Sequence, residues 1–422
     1  MSDTAKAFLE KYGMSPELVD PLTESDDIAE DMRKGLNGDE SFMPMIPTYL
    51  INDGDVPKNE PVIVIDAGGT NFRCALLRFT DSGYDLEGLE KCLMPGIEKP
   101  ASWEEFISFI ADRIEPFAGK TDKIGFCFSY EAEITPEIDG KVVVIDKEVV
   151  IEGSAGKLVG KSLSDELARR GYPGKRVIVL NDTAAVLLGG SASIDKSAYS
   201  TFIGHVSGTG TNCCCLVPMK YISKLDSGSE NSIIVNMEAG LYGGIKKGYF
   251  DELLDAESHN PGTKIIEKQT AGVYLGELVR LMTEKAAEDG IISRETIKKV
   301  NSLGKINSAV IDKWAAGDGL DDLFAADEKD FIKEISYAMI DRSARCMCSL
   351  LLGIAKCTGR GGEGDKPVCD FAEGSLVQKS LNYQPLLRRY LKEYGSEAGR
   401  KIELLIGSDS TLPGAGAAAL LN

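Results

Sequence analysis

Histidine is scarce in this 422-residue sequence, which contains only His205 and His259. Histidine is the usual general base of Ser-His-Asp sites and a common metal ligand, so few residues are available here for either kind of site. We interpret both histidines as structural. The ten cysteines include no CxxC pair, and neighbouring strand residues face opposite ways, so Cys213, Cys214 and Cys215 cannot all meet one metal ion. A zinc or disulfide framework is therefore excluded, and the cysteines are predicted to be reduced and mostly buried.

The sequence also has fewer basic than acidic residues and lacks long apolar segments. Lysine and arginine number 47 against 66 aspartates and glutamates, which gives a net charge of −19 and a pI near 4.7. Such a charge repels phosphate backbones and anionic lipids, so we expect no nucleic-acid partner and no membrane contact. The longest apolar stretches, such as Met347 to Ala355, are too short to span a bilayer, and residues 1–6 do not resemble a signal peptide. A cytoplasmic protein is expected.

The remaining composition is that of a globular protein, with 43% apolar and 7% aromatic residues in a chain long enough for two domains or one bilobal enzyme. The spacing of apolar residues predicts a mixed α/β fold. Strands are predicted at 61–65, 72–79, 124–129, 142–145, 176–180, 200–206, 212–217, 402–406 and from Val368. Helices are predicted within the first 40 residues, at 103–117, 162–170, 249–256, 272–287 and 330–355, and from Ala184.

A glycine-rich turn follows the first predicted strand. Gly68 and Gly69 permit positive φ and expose N–H donors to a phosphate, and Thr70 and Asn71 add side-chain donors. Arg73 could add a charged fork, and Asp66 could hold a hydrated magnesium ion. The alternative is a simple hairpin turn. Because a strand follows, and no glycine precedes Lys-Ser or Lys-Thr, neither a Rossmann fingerprint nor a Walker A loop is present.

A second glycine-rich hairpin repeats this arrangement at residues 207–212, with Gly208, Thr209 and Gly210 in the turn. Two such turns could grip a polyphosphate from opposite sides. Because each half of the chain carries one, the pair also suggests a duplicated α/β unit.

A carboxylate stands at the end of the predicted strand 176–180. By propensity, Asp182 or Thr183 is the N-cap of the helix that follows. The other interpretation makes Asp182 a general base that takes the proton of an alcohol attacking phosphorus. The two roles are compatible.

Taken in order, these segments resemble the hexokinase family, whose superfamily also includes actin and the heat-shock chaperone ATPases. The resemblance runs almost end to end. It rests on the lead-in at 41–49 (SFMPMIPTY), the first phosphate motif at 66–73 (DAGGTNFR), the catalytic-aspartate motif at 179–183, the second phosphate motif at 208–212, the segment 236–240 (NMEAG), the string 250–277 (FDELLDAESHNPGTKIIEKQTAGVYLGE) and the adenosine motif at 373–375. The string 250–277 is the most specific, because so many positions agree in register.

The resemblance implies a two-lobed actin-like ATPase (ribonuclease H-like) fold with a central cleft and a single kinase unit. It implies transfer of the γ-phosphoryl group of ATP to the 6-hydroxyl of a hexose, with glucose as the expected sugar, and with Mg2+. Asp182 is then the catalytic base, and Lys147 reaches both the sugar and the phosphoryl group. The implied sugar contacts are Ser129, Asn181, Asn212, Glu238 and Glu267. The implied ATP contacts are Asp66, which also lies near the metal, Gly68, Gly69, Thr70, Asn71, Arg73, Gly208, Thr209, Gly210, Gly374 and Ser375.

The sequence departs from the family pattern at three places near the expected sugar pocket. Where hexokinases carry Ser-Phe-Pro, this chain has Ser129-Tyr130-Glu131; where they carry Thr-Lys, it has Asp146-Lys147; and Ala239 replaces their tryptophan. The added carboxylates of Glu131 and Asp146 suggest a preference for, or tolerance of, a 2-amino sugar. In the alternative, Asp146 pairs with Lys147 or another neighbour and specificity is unchanged.

Two lobes are expected to close on the substrates. The small domain is predicted as residues 62–182 plus 408–422, and the large domain as 1–61 plus 183–407. Hexose and ATP are the expected partners, and the protein is expected to be a monomer or homodimer. The rival functions are a kinase for another hexose or amino sugar, a catalytically silent sugar-binding regulator, and a chaperone-like or actin-like ATPase. The last leaves the segment 236–267 unexplained.

Overall fold

The computed structural model describes residues 1–145 and 149–422. The strands are β1 (Ile46–Pro47), β2 (Val62–Gly68), β3 (Asn71–Thr80), β4 (Gly83–Leu93), β5 (Ala101–Ser102), β6 (Lys123–Phe128), β7 (Glu131–Ile134), β8 (Gly140–Val144), β9 (Ile151–Glu152), β10 (Arg176–Leu180), β11 (Thr201–Ser207), β12 (Thr211–Pro218), β13 (Ser232–Asn236), β14 (Val368–Glu373) and β15 (Ile402–Ile406). The longer ones occur where apolar, β-branched runs predict them.

The helices surround these strands. They are α1 (Asp3–Lys11), α2 (Pro21–Asn37), α3 (Trp103–Ala118), α4 (Val159–Arg169), α5 (Asp182–Ser191), α6 (Tyr249–Glu257), α7 (Ile265–Thr270), α8 (Gly272–Glu288), α9 (Arg294–Ser302), α10 (Ser308–Ala316), α11 (Lys329–Thr358), α12 (Ser375–Lys379), α13 (Tyr383–Glu397) and α14 (Thr411–Leu421). Among the described residues, none of these helices combines the length and the apolar character needed to cross a bilayer.

The two large sheets have the same pattern of strand connections. The larger has the order β1-β13-β12-β11-β14-β15 and the smaller the order β10-β6-β2-β3-β4. In the smaller sheet, β2, β3 and β4 are antiparallel neighbours, and β2 pairs in parallel with β6, which pairs in parallel with β10. In the larger sheet, β11, β12 and β13 repeat the antiparallel part, and β14 and β15 repeat the parallel part. The expected duplicated α/β unit and two-lobed actin-like fold are therefore confirmed.

Helices α5 and α14 pack against each other and connect the two sheets. Helix α14 contacts β2 and β6 of the smaller sheet, and α5 contacts β11 of the larger one. Glycine permits the close approach: a Cβ on Gly125 of β6 would overlap the carbonyl oxygen of Ala415 in α14. This packing fixes the N-terminal ends of both helices: Asp182 begins α5, and Thr411 begins α14 and donates its hydroxyl to Asp66 of β2.

Some elements are absent from the sequence-based prediction. Strand β4 is one, because most of its residues are exposed and it carries no buried apolar face. Strand β13, whose sequence is SIIVN, and helices α9, α10 and α13 were also not predicted. Helix α2 runs through Gly35 and ends at Asn37, where Gly38 adopts a left-handed φ of 84°. The boundaries of the two domains stay a prediction.

Candidate active site

The first glycine loop joins β2 to β3. Gly69 has a φ of 58°, a conformation that favours glycine. A Cβ on Gly68 would lie 3.4 Å from the hydroxyl oxygen of Ser129, so glycine also lets this loop approach the end of β6. The Asn71 side-chain amide donates to the Thr70 hydroxyl at 3.1 Å. The loop is thus a hairpin turn in geometry, and it still presents the predicted phosphate-binding groups at its surface.

Two residues after β6 are hydrogen-bonded to this loop and to the strand that precedes it. The Ser129 N–H donates to the carbonyl oxygen of Ala67 at 3.1 Å. The Tyr130 hydroxyl donates to the carbonyl oxygen of Gly69 at 2.7 Å. Tyr130 was noted in the sequence only as a departure from the family pattern, and no sequence signal pointed to this bond.

Arg73 and Asp66 form an ion pair beside the same loop. Nη2 and Nε of Arg73 lie 2.6 Å and 3.0 Å from Oδ2 of Asp66. The Thr411 hydroxyl donates to that oxygen at 3.0 Å, and Nη1 of Arg73 donates to Asp409 at 3.0 Å. Sequence reasoning placed Arg73 and Asp66 at the ATP phosphates but missed Asp409 and Thr411, because no local pattern links residues so distant in the chain.

The donor set suits magnesium bound mainly through a nucleotide. Among the described residues, no group of three or more His, Cys, Asp or Glu side chains could hold a metal ion. Asp66 provides one carboxylate at the end of a strand, next to the glycine loop. Magnesium retains several waters and uses few carboxylates together with substrate phosphates, so this single carboxylate fits it.

The second glycine loop lies against the predicted adenosine motif. The Gly208 N–H donates to the carbonyl oxygen of Gly210 at 3.0 Å, which closes the turn and leaves Thr209 exposed at its tip. A Cβ on Gly208 would lie 3.1 Å from the backbone nitrogen of Ser375. Gly374 has a φ of 117°, and a Cβ on it would overlap the carbonyl group of Ser207. The fold therefore brings two of the predicted ATP segments together.

A polar cluster follows this loop. Asn212 donates to Asn236 at 2.9 Å and to Glu238 at 3.4 Å, and Asn236 donates to Glu238 at 2.7 Å. Glu267 accepts a hydrogen bond from the Thr211 N–H at 3.0 Å. Three predicted sugar contacts are thus adjacent, and Asn236 is a member that sequence reasoning did not single out.

The carboxylate of Glu238 lies in an unfavourable electrostatic environment. Burial raises its pKa, and the negative charges of Asp182 and Glu131 raise it further against a lowering hydrogen bond from Asn236. Glu238 also has a left-handed φ of 54°, which costs a non-glycine residue backbone strain. Perturbed carboxylates and strained backbone of this kind cluster at functional sites.

Asp182 is the first residue of α5, and the sequence-based choice of N-cap is wrong. Asn181 caps the helix: its side-chain oxygen accepts from the Ala184 N–H at 3.1 Å. The helix begins at Asp182, two residues before the predicted start at Ala184, so the cap falls on Asn181, directly after β10 ends at Leu180. Oδ1 of Asp182 accepts from the Thr183 N–H at 2.8 Å.

Two residues named from the sequence lie outside the described residues. They are Lys147, the implied second catalytic residue, and Asp146, one of the two added carboxylates. The other added carboxylate, Glu131, begins β7 and is exposed.

Comparisons with known proteins find similarity to hexokinases along nearly the whole chain. Two sequence models described as hexokinase match residues 5–192 and 202–421. The chain is 27% identical to Hexokinase-1 of Schizosaccharomyces pombe over 441 residues, which cover 96% of this chain and 88% of that protein. It is 28% identical to Hexokinase-1 of Nicotiana tabacum over 437 residues, which cover 94% and 86%.

Solved structures share the fold. A hexokinase from Schistosoma mansoni complexed with glucose aligns with a TM-score of 0.77 at 22% identity, covering 99% of both chains. Another hexokinase crystal structure aligns with a TM-score of 0.82 at 21% identity and covers both chains fully.

Proposed function

The chain belongs to the hexokinase family and is an ATP-dependent sugar kinase, and we propose that its sugar is glucose, with Asp182 as the general base. The observation that carries this proposal is the hydrogen-bonded cluster of Asn212, Asn236 and Glu238, near enough to Asp182 that its negative charge helps to raise the pKa of Glu238. Phosphorylation of a hexose requires a carboxylate that can act as a base. It also requires nearby hydrogen-bond donors and acceptors that orient the sugar hydroxyls.

In this proposal, the polar cluster orients the sugar. Asn212 and Glu238 are held in place by their own hydrogen bonds, and Glu267 by the Thr211 N–H. Carboxylates accept from two hydroxyls and amides both donate and accept, so the cluster distinguishes hydroxyl positions by direction. Ser129 and Asn181 complete the proposed set of sugar contacts.

Asp182 takes the proton of the 6-hydroxyl as that oxygen attacks the γ-phosphorus of ATP. The bond from the Thr183 N–H to Oδ1 fixes the orientation of the carboxylate at the start of α5. Lys147 is proposed to reach both the sugar and the phosphoryl group on the strength of the family resemblance.

ATP is proposed to lie between the two glycine loops. Asn71 and Thr209, which are exposed, and the half-buried Thr70 offer donors to its phosphates. Arg73 adds a positive charge, and Gly374 and Ser375 flank the adenosine. Magnesium, when bound with ATP near Asp66, supplies positive charge that neutralises the phosphate oxygens.

Several broader features belong to the same proposal. The domains are 62–182 plus 408–422 and 1–61 plus 183–407, and they close over the substrates to exclude water as a competing acceptor. All ten cysteines are free thiols, which suits the reducing cytoplasm. Hexose and ATP are the proposed partners of a monomer or homodimer, with no nucleic acid or membrane partner.

Release of ADP from magnesium-ATP tests the proposal. Purified protein is assayed without sugar and with glucose, mannose, fructose, glucosamine or N-acetylglucosamine in parallel. We expect glucose to give the highest kcat/KM. A higher value for another sugar would reject glucose as the substrate, and silence with every sugar, in protein that still binds ATP, would favour the sugar-binding regulator.

One observation favours a second candidate, a kinase that accepts a 2-amino sugar. The negative charge of Glu131 reaches Glu238, so it also reaches the region where the sugar is proposed to bind. A protonated amine would be attracted to Glu131, whereas a neutral hydroxyl would not. Glu131→Gln should therefore lower kcat/KM for glucosamine two- to fivefold relative to glucose, about the range of one exposed ion pair.

The matched control is Glu133→Gln, on the same strand. Glu133 is exposed and pairs with Lys141 at 3.4 Å. Its substitution should leave the glucosamine-to-glucose ratio unchanged. Equal ratios in wild type and Glu131→Gln would remove Glu131 from sugar selection.

A further inference from the structure

The Tyr130 hydroxyl holds one specific peptide of the first glycine loop. It donates to the carbonyl oxygen of Gly69 at 2.7 Å, and only 6% of the Tyr130 residue surface is exposed. Burial raises the pKa of Tyr130, and the nearby charge of Asp66 adds to this effect, so the hydroxyl keeps its proton and acts as a donor.

Fixing the Gly69 carbonyl also fixes the next N–H. In a planar trans peptide, the C=O of one residue and the N–H of the following residue point in opposite directions. The bond from Tyr130 therefore turns the Thr70 N–H away from Tyr130. The other peptide of Thr70 is held as well, because its carbonyl accepts from the Met94 N–H at 2.9 Å.

The loop needs such a constraint because of its glycines. Gly69 sits at a φ of 58°, and a glycine can exchange between positive and negative φ at little cost. Without an external bond, the Gly69–Thr70 peptide could turn over and direct a carbonyl oxygen, rather than an N–H donor, toward a bound anion. Replacing Tyr130 by Phe would remove the hydroxyl, and with it this hydrogen bond, while keeping the ring.

The same segment also carries a proposed sugar contact. Ser129, directly before Tyr130, donates its N–H to the carbonyl oxygen of Ala67 in β2, two residues before Gly69. The residues after β6 are thus bonded both to β2 and to the turn that follows it.

We propose that Tyr130 is a positioning residue that orients the Thr70 N–H for the phosphates of ATP. It touches neither substrate and acts through the Gly69–Thr70 peptide. This inference rests on the proposed function, because it takes the first glycine loop as the site of the phosphates.

Tyr130→Phe tests the inference, with Tyr390→Phe as the matched control. Tyr390, on α13, is likewise buried and donates its hydroxyl to Asp341 on α11. Both residues are far along the chain from the two glycine loops. KM for ATP, KM for glucose, kcat and the Kd of magnesium-ADP are measured for wild type and both variants. Tyr130→Phe should weaken ADP binding and raise KM for ATP about fivefold, the effect of one hydrogen bond, with KM for glucose within twofold of wild type.

The control separates positioning from stability. Tyr390→Phe should lower Tm but leave both KM values and the ADP affinity unchanged. Unchanged ADP affinity in Tyr130→Phe, or an equal rise in both KM values, would overturn the inference. Because ADP binding needs no sugar, it tests Tyr130 even if wild type phosphorylates none of the hexoses, a result that would reject the proposed function alone.

Discussion

Gly414 of α14 lies directly against the carbonyl group of Ala185 in α5. A Cβ built on Gly414 would overlap both the oxygen and the carbonyl carbon of Ala185. The two helices therefore cross at a distance that only glycine allows, and their N-terminal ends carry Asp182 and Thr411 into the site. Close packing at this crossing and the position of Asp182, the proposed general base, are physically linked.

Gly414→Ala should destabilise the protein and reduce turnover. The added methyl group meets backbone, which cannot rotate away, so overpacking should cost about 1–3 kcal/mol. Gly416→Ala in the same helix is the control, because its Cβ would meet side-chain methyl groups of Val64, Leu77 and Val62 at 3.2–3.3 Å instead of backbone, and alanine favours the helix. Thermal unfolding and kcat check both variants. Equal Tm values for the two would contradict the argument.

Asp66→Asn should raise the magnesium concentration needed for half-maximal activity roughly tenfold, the usual scale for a group next to a bound metal. The amide keeps an acceptor for Arg73 but loses the negative charge that attracts the ion. Asp409→Asn is the control, since Asp409 pairs with the same guanidinium at 3.0 Å but stands apart from the glycine loop. Its magnesium dependence should match wild type. A similar shift in both variants would assign the effect to Arg73 instead of the metal.

Asp182→Ala should lose turnover about 10²- to 10⁴-fold, the usual contribution of a general base, while glucose binding persists. Asp182→Asn refines the test, because the amide oxygen can still accept from the Thr183 N–H but cannot take a proton. Both variants should be equally slow in ADP release and should bind glucose in calorimetry. Activity within a few-fold of wild type in either variant would remove Asp182 from the role of base.

The main strands and the longest helices were predictable because their apolar periodicity is local. Strand β2 is a continuous apolar and largely β-branched run, and α11 is a long segment with apolar residues at helical spacing, most of which are buried. Strand β4 was missed because its exposed, charged sequence carries no such signal, and its place in the sheet depends on pairing with β3. Edge strands of this kind are specified by their neighbours more than by their own residues.

Motif residues were predictable, whereas their partners were not. The glycine loops and Asp182 each stand in a short recognisable segment. Thr411 and Asp409 reach Asp66 and Arg73 across more than three hundred residues, as the separations of 345 and 336 positions show. Only the crossing of α5 and α14 brings these segments together, and that crossing depends on small residues whose packing no local pattern specifies.

We expect the ionised carboxylate of Glu238 to lower the stability of the folded protein while it strengthens sugar binding. Burial and the charges of Asp182 and Glu131 raise its pKa above the ordinary value of 4.5. A raised pKa means that the folded state disfavours the charged form, so the stability that this group contributes at low pH is lost as pH rises through its folded-state pKa. At pH 7 the ionised carboxylate therefore opposes folding.

Glu238→Gln should raise Tm at pH 7, and the gain should shrink as pH falls toward 4.5, where the wild-type carboxyl also becomes neutral. The same change should weaken glucose binding about tenfold or more, because a hydrogen bond to a charged acceptor is lost. Glu267→Gln is the control: its carboxylate lies 3.9 Å from Lys264, so neutralising it removes an attraction and should not raise Tm. Thermal unfolding from pH 4.5 to 8 and calorimetric titration with glucose measure both effects. If Glu238→Gln melts below wild type at pH 7, its charge does not oppose folding and the predicted trade-off fails.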